Sequence, residues 1–257
     1  MTSRYEVTLN GVEMSSLNAN LLILDLEYSD PSPQFRTATL ANRDGSMITG
    51  RYKADVSVTV SFELHLYDTA ARQSALHDVI RWARAGGTLK TSDRTGQVLE
   101  CVCDQLPAIS SARNWTDPLK LRFAAASFPF WEAETPTTVT LTGSSAAGSI
   151  TVPGDGGDAP LSVAVTPSSG TLTSLTITAG SSTIALSGLS VAAGTTLWME
   201  YSPAGNFRIR ANAVSQLPKR SAASSDDLRV PTGLAAALSL SANVAVTAIF
   251  SARGVYE

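Results

Sequence analysis

Few side chains in this sequence are of the types that perform catalysis or bind metals, and their spacing decides what chemistry they could do. The only histidines are His65 and His77. His77 has Gln73 and Arg81 four residues to either side, where a metal-binding helix would carry a second ligand. We therefore interpret both histidines as ordinary surface or boundary residues.

The two cysteines form the next candidate. Cys101 and Cys103 lie at i and i+2 on a predicted strand, so their side chains share one face. A tetrahedral zinc site needs four ligands, and the chain has no second cysteine pair. No motif supplies either thiol with a base, so neither is predicted to be a nucleophile. Two small, buried or half-buried apolar residues are the favoured interpretation.

The carboxylates also lack a convincing arrangement. The loop Gly154–Asp158 resembles a calcium loop superficially, but it lacks the third acidic position and the terminal glutamate. A turn between strands is favoured. The pairs Asp155/Asp158 and Asp226/Asp227 have no evident acid–base partner. No nucleophile-elbow, phosphate-loop or zinc-protease motif occurs. We predict no enzyme, no catalytic residue, no cofactor and no metal.

The composition excludes further classes of protein. The 257 residues carry a formal net charge of −3, which argues against a protein that binds nucleic acid by neutralising phosphates. No stretch approaches the roughly 18 consecutive apolar residues of a membrane-spanning helix, and the N-terminus lacks the apolar core of a signal peptide. We predict a soluble chain, made in the cytoplasm, with neither membrane insertion nor direct sequence-specific contact with nucleic acid.

The composition also changes along the chain, which predicts two domains. Up to Glu134 there are 13 Lys and Arg with 16 Asp and Glu, whereas the remainder carries 6 of each. The segment Glu132–Pro136 is polar and contains a proline, as linkers commonly do. We place the domains at residues 1–134 and 135–257.

The first domain reads as strands with a single helix. Ala54–Leu66 alternates apolar and polar residues with period 2, which predicts a strand with one buried face. Asn42–Gly45 predicts a hairpin turn after a strand at Phe35–Ala41. A helix is predicted over Thr69–Ala85, followed by two strands at Gln97–Cys103 and Leu119–Ala126. The apolar stripe of the helix comprises Leu76, Val79, Ile80 and Ala83.

The second domain is rich in serine and threonine, but its pattern is that of short strands. Leu161–Val165, Leu172–Ile177 and Thr196–Tyr201 are segments of strand length separated by glycine and proline turns. An antiparallel β-sandwich follows. Trp198 and Phe207 lie in apolar strand patterns, so we predict that they pack in the core rather than stack on sugars.

Several residue strings, in this order, resemble the distal tail proteins of long-tailed, non-contractile bacteriophages. In the first domain they are Val7–Gly11, the helix end Ile80–Leu89 and Leu121–Trp131, the segment at the end of the domain. The second domain has the turn and strand entry Val152–Val163, then Ser224–Leu228 ahead of the final strands. The family more often has Asn-x-Gly before Pro160 and Pro-Gly-x-Asn at Pro231–Leu234, so the match is weaker in these loops.

The resemblance implies a fold, a role and a set of partners. The fold is mainly β, with an N-terminal β-sandwich-like domain carrying one α-helix and a C-terminal galectin-like antiparallel β-sandwich. The first domain would form a homohexameric ring at the distal end of the tail in the virion. That ring would join the tail tube protein to the tail-tip hub, its tail-associated protein and receptor-binding proteins.

The sequence leaves two alternatives to the structural role and one open question about the ring. The first alternative is a binding module in which residues 135–257 recognise host carbohydrate during adsorption, and the less favoured one is an enzyme. The open question is the position of the ring contacts, which we expect mainly within residues 1–134. The hairpin-tip residues Arg43 and Asp44 are our candidate interface, because a hairpin tip can reach beyond its own domain.

Overall fold

The computed structural model describes residues 3–29, 32–39, 46–107, 118–126, 128–202 and 205–256. The chain divides into two compact units, one ending at Trp131 and the other running from Glu132 to Tyr256. Strands dominate both units, and within the described residues the only α-helix is α1, Thr69–Arg84. The predicted mainly β fold with one helix is confirmed.

The first unit is an antiparallel sheet with a separate two-stranded ribbon. Its strands are β1 (Val7–Leu9), β2 (Val12–Glu13), β3 (Leu21–Ser29), β4 (Pro33–Thr39), β5 (Ser46–Lys53), β6 (Ser57–Leu64), β7 (Gly87–Thr91), β8 (Gln97–Gln105) and β9 (Leu119–Ala125). The sheet order is β2–β1–β7–β8–β9–β6–β3, and β4 pairs with β5 to form the ribbon.

Strand β6 follows the predicted alternation over a shorter length than Ala54–Leu66. Val58, Val60 and Phe62 are fully buried on its inner face, because every second side chain of a strand points the same way. The strand ends at Leu64, since the Leu66 amide turns back to the Leu64 carbonyl at 2.9 Å. Ser57 and Ser61 on the opposite face are also buried, which the simple inside–outside pattern did not predict.

Helix α1 covers the buried face of the sheet. Its N-cap is Asp68, whose carboxylate accepts a hydrogen bond from the Ala71 amide at 2.9 Å. The predicted stripe of four apolar residues is buried as expected. Trp82 is buried too, although it was not part of the predicted stripe. It packs edge-on against Phe123 of β9, with ring centroids 5.9 Å apart, and its indole nitrogen donates to the Val12 carbonyl.

A single asparagine joins two of the strings that carried the family resemblance. Gly87 follows the helix with φ +111°, a conformation that L side chains rarely adopt. Asn10 closes this turn: its Nδ2 donates to the Gly86 carbonyl at 2.7 Å, and its Oδ1 accepts from the Thr88 amide at 3.0 Å. The string Val7–Gly11 therefore lies beside the helix end because β1 pairs with β7.

The second unit is an antiparallel β structure built around one long strand. The boundary strand is β10 (Trp131–Ala133), and the others are β11 (Thr137–Thr151), β12 (Asp158–Pro167), β13 (Thr171–Ala179), β14 (Ser182–Ala192), β15 (Leu197–Tyr201), β16 (Phe207–Ala211), β17 (Val214–Ser215), β18 (Arg229–Pro231), β19 (Ala235–Ala252) and β20 (Val255–Tyr256). The main strand order is β14–β13–β19–β12–β15–β16–β17.

Strand β19 is shared by two halves of this unit. Leu238–Ala242 pair with β13, whereas Val246–Ala252 pair with β12. Along its other edge β19 pairs with β11 in both halves, with an irregularity between Gly143 and Ser145. All three strand segments predicted in this region lie within strands, apart from Thr196, which precedes β15.

Candidate interaction surfaces

The histidines do not assemble a metal or catalytic site. His65 lies just after β6, and its Nε2 is 3.0 Å from the Glu63 carboxylate, a local contact between two neighbouring side chains. His77 is exposed on α1. Within the described residues no group of three or more His, Cys, Asp or Glu is placed to hold a metal ion.

The thiols are held in their protonated form. Cys101 is buried in β8, and burial raises the pKa of its thiol to about 12. Burial also raises the pKa of Cys103, whose thiol donates to the Gln105 carbonyl at 3.4 Å. A thiol that stays protonated at neutral pH is a poor nucleophile, so both cysteines behave as packing residues.

The loop Gly154–Asp158 is hydrogen-bonded to β20. The amides of Asp155 and Gly156 both donate to the Val255 carbonyl, at 3.0 and 2.9 Å. The Thr232 amide donates in turn to the Gly157 carbonyl at 2.9 Å. This loop is therefore a hydrogen-bonded turn, in agreement with the favoured interpretation of the sequence.

The second aspartate pair serves ion pairing. The Asp227 carboxylate accepts from Arg229 Nε at 2.8 Å, and Arg220 lies 3.5 Å from the Asp226 carboxylate. Beside them the Tyr201 hydroxyl donates to the Leu228 carbonyl, and burial together with Asp227 raises the pKa of that phenol. Both carboxylates thus have structural partners.

The ribbon of β4 and β5 is the first surface that the fold leaves exposed. Phe35, Met47 and Ile48 have exposed fractions of 51, 45 and 61%. Large apolar side chains exposed together on one element are typical of an interface. Arg43 and Asp44, which the sequence predicts at a hairpin tip, lie outside the described residues, so the candidate interface there stays a prediction.

The outer face of the second unit carries the other surface, and it corrects one prediction. Trp198 is not a core residue: 43% of it is exposed, because Leu197 and Met199 occupy the inward positions of β15. Phe207 is only partly buried and packs edge-on against Tyr201, with ring centroids 5.3 Å apart. The sequence prediction that both rings fill the core was wrong for Trp198.

Charged side chains surround Trp198, and sequence reasoning missed them. Glu200 lies two residues along the same strand face, and Arg208 and Arg210 lie across from Glu200 and Trp198 on β16. Glu200 Oε1 accepts hydrogen bonds from Arg208 Nε at 3.0 Å and from Arg210 Nε at 2.7 Å, and both arginines form ion pairs with it. The alternation in Phe207–Ala211 was a signal that could have placed both arginines on one face.

Comparisons with known proteins bear on the fold as a whole. No protein-family model matches the chain, and no curated protein matches it by sequence. Among solved structures, the chain is similar to the Dit protein of phage SPP1, described as a paradigm of the hub adsorption apparatus in phages that infect Gram-positive bacteria. The two are 12% identical, the match covers 97% of this chain and 98% of that one, and the TM-score is 0.69.

Two further structures are of the phage P2 baseplate in its activated conformation, with Ca and with Sr. Their identities are 7 and 8% and their TM-scores 0.49 and 0.47, with 97% or more of each chain covered. Because both TM-scores are below 0.5, the fold comparison is made with the SPP1 protein. The chain therefore has the fold of a phage distal tail protein, and the sequence resemblance is confirmed at that level.

No helix among the described residues is long and apolar enough to cross a membrane.

Proposed function

We propose that the chain is a structural protein of a phage tail tip. It forms a homohexameric ring at the distal end of the tail and joins the tail tube to the baseplate hub and adsorption apparatus. The observation that carries this proposal is the similarity to the SPP1 Dit protein over nearly the whole of both chains. The same similarity supports a location at the tail tip of the virion, and we propose the tube protein, the hub protein and receptor-binding proteins as the partners.

The described residues are compatible with a structural role. The thiols stay protonated and the Asp226 and Asp227 carboxylates are paired with arginines, so these groups are occupied by packing and folding. A ring of identical subunits needs two different complementary patches on each subunit, because every contact is head-to-tail. A rigid antiparallel core that presents such patches meets this requirement.

The ribbon supplies one of the two patches in this proposal. It lies in the first proposed domain, residues 1–134. Among the described residues it forms a separate sheet and pairs with neither of the two larger sheets. Its exposed apolar side chains would become buried against the neighbouring subunit, as the centre of a protein interface usually is. The tip residues Arg43 and Asp44 would set the register by charge.

Replacing Ile48 by aspartate should prevent ring closure without unfolding the chain. The side chain is 61% exposed in the subunit, so a charge there costs the folded monomer little, but it would be desolvated in the interface. Size-exclusion chromatography with light scattering should show the wild-type ring and a monomeric variant with an unchanged melting temperature. The tube protein is added if the wild type needs it to assemble.

The matched control is Leu234→Asp, the same change at a 67% exposed side chain in the second unit. This variant should still form the ring. If Ile48→Asp assembles at the same concentration as the wild type, the ribbon is not a ring contact.

A carbohydrate-binding module remains a second candidate function. The exposure of Trp198 favours it, because an aromatic side chain on an open sheet face can stack on a sugar. This function is compatible with the ring, since it concerns the second domain, residues 135–257.

A further inference from the structure

We propose that the outer face of β12, β15 and β16 is a binding site for an acidic saccharide. Trp198 is the stacking surface, and Glu200 and Arg210 are the groups that bind the hydroxyl and acidic substituents of the sugar. The proposal rests on the carbohydrate-binding candidate function of the second domain, and the site does not depend on ring formation.

The exposure of Trp198 is a property of its position on the sheet. Its cross-strand neighbours are Ala164 on β12 and Arg210 on β16. Ala164 is too short to cover an indole, and beyond it Ile249 of β19 is itself 44% exposed. Burying the large apolar ring of a tryptophan stabilises a fold, and this stabilisation is lost where the ring stays exposed to water. The open ring therefore points to a ligand that covers it.

Polar groups stand on both sides of the indole along the strand direction. Successive residues on one strand face are about 6.8 Å apart, so Glu200 lies one such step from Trp198. In the opposite direction Thr196 shares a hydrogen bond with Thr166, with 2.9 Å between their hydroxyl oxygens. A flat ring flanked by hydroxyl and carboxylate groups suits a sugar, which presents C–H groups on its faces and hydroxyls at its rim.

The polar groups are held rigidly while part of their binding capacity stays unused. Both arginines donate to Oε1 of Glu200, so that oxygen fixes all three side chains. Among the described residues Oε2 of Glu200 has no hydrogen-bond partner, and Arg210 uses only Nε, which leaves its two Nη groups as donors. Groups already fixed by ion pairs lose little conformational entropy when a ligand binds.

The charge of this face selects the class of saccharide. Two guanidinium groups share one carboxylate, which leaves one net positive charge beside Trp198. Ala164, Thr166 and Thr196, which flank the indole on its other sides, are neutral. A uronic acid or a phosphorylated sugar would place its negative charge against the Arg210 Nη groups, and such charge-assisted hydrogen bonds are the stronger kind.

A small ligand fits this face better than a protein partner does. A stable protein interface buries roughly 800 Å² on each side and has several large apolar anchors at its centre. Within the rows of residues described above, the large exposed apolar side chains are Trp198 and Ile249. Two such side chains in a field of threonine, alanine and paired charges provide one sugar-sized stacking surface.

The test is a glycan array of bacterial surface saccharides, probed with the full-length chain at low salt. We expect binding to saccharides that contain uronic acid or phosphate, and weaker binding to their neutral counterparts. Titration of the best acidic oligosaccharide should show about tenfold weaker binding by Trp198→Ala. Arg210→Gln should reduce the preference for acidic over neutral sugars, and added salt should weaken binding by the wild type.

The matched control is Leu234→Ala, which removes an exposed apolar side chain elsewhere in the same unit and should leave binding unchanged. Absence of binding to every acidic saccharide at millimolar concentration would overturn the proposal, as would equal binding by Trp198→Ala. If the array is negative and purified tail proteins protect Trp198 from chemical oxidation, this face is a protein interface instead. Each outcome can be read whether or not the chain forms a ring.

Discussion

Replacing Ile80 by aspartate is expected to lower the free energy of unfolding of the first unit by about 3 to 5 kcal/mol. Ile80 is 8% exposed and lies on the face of α1 that packs on the sheet, beside the fully buried Val79. A carboxylate there would lose its hydration without gaining a partner, and a cost of this size is typical of an unpaired buried charge.

The measurement is hydrogen exchange of the β6 amides, because the two units need not unfold together and a single transition would average them. The control is His77→Asp, which puts the same charge on the exposed face of the helix and should change exchange little. Unchanged protection of β6 in the Ile80 variant would show that the stripe does not hold the helix on the sheet.

Replacing Gly154 by alanine should destabilise the second unit by about 3 kcal/mol or more. The added Cβ would overlap the Val255 carbonyl oxygen and lie 2.8 Å from the Val255 nitrogen. Both atoms belong to the backbone, so neither can rotate away. Gly154 also has φ +124°, which adds strain of roughly 1 to 3 kcal/mol for a residue with a side chain.

Gly157→Ala separates the two causes. Gly157 has φ +99° in the same loop, but no atom lies within 4 Å of its added Cβ. This variant should therefore show only the backbone strain, and thermal unfolding should rank Gly154→Ala as clearly less stable. Equal melting temperatures for the two variants would mean that the Val255 backbone moves to make room for the added Cβ atom, so that the overlap costs nothing.

The parts of the fold that follow local patterns were predictable from the sequence. The alternation in β6 and the apolar stripe of α1 were visible because each residue's burial depends on the period of its own element. Element ends were less predictable. The end of β6 depends on a turn in which the Leu66 amide bonds to the Leu64 carbonyl, and no residue type specifies that turn uniquely.

Long-range relations were beyond the reach of the sequence. The loop at Gly154 looked like a calcium loop or a plain turn, whereas its amides bind Val255 a hundred residues later. The prediction for Trp198 was wrong for a different reason, because it relied on the apolar character of the ring and not on the position of the residue in the strand. Strict alternation between Leu197 and Met199 would have placed it outside, and the same rule would have found the charges at Glu200 and Arg210.

The most direct test of the proposed function is the mass of the assembled protein. Native mass spectrometry and negative-stain images of the full-length chain, alone and with the tail tube protein, should show a closed six-fold ring. Its mass should be six times the 26.9 kDa of one chain, apart from any bound tube protein. A chain that stays monomeric at high concentration, and in the presence of the tube protein, would contradict the proposal.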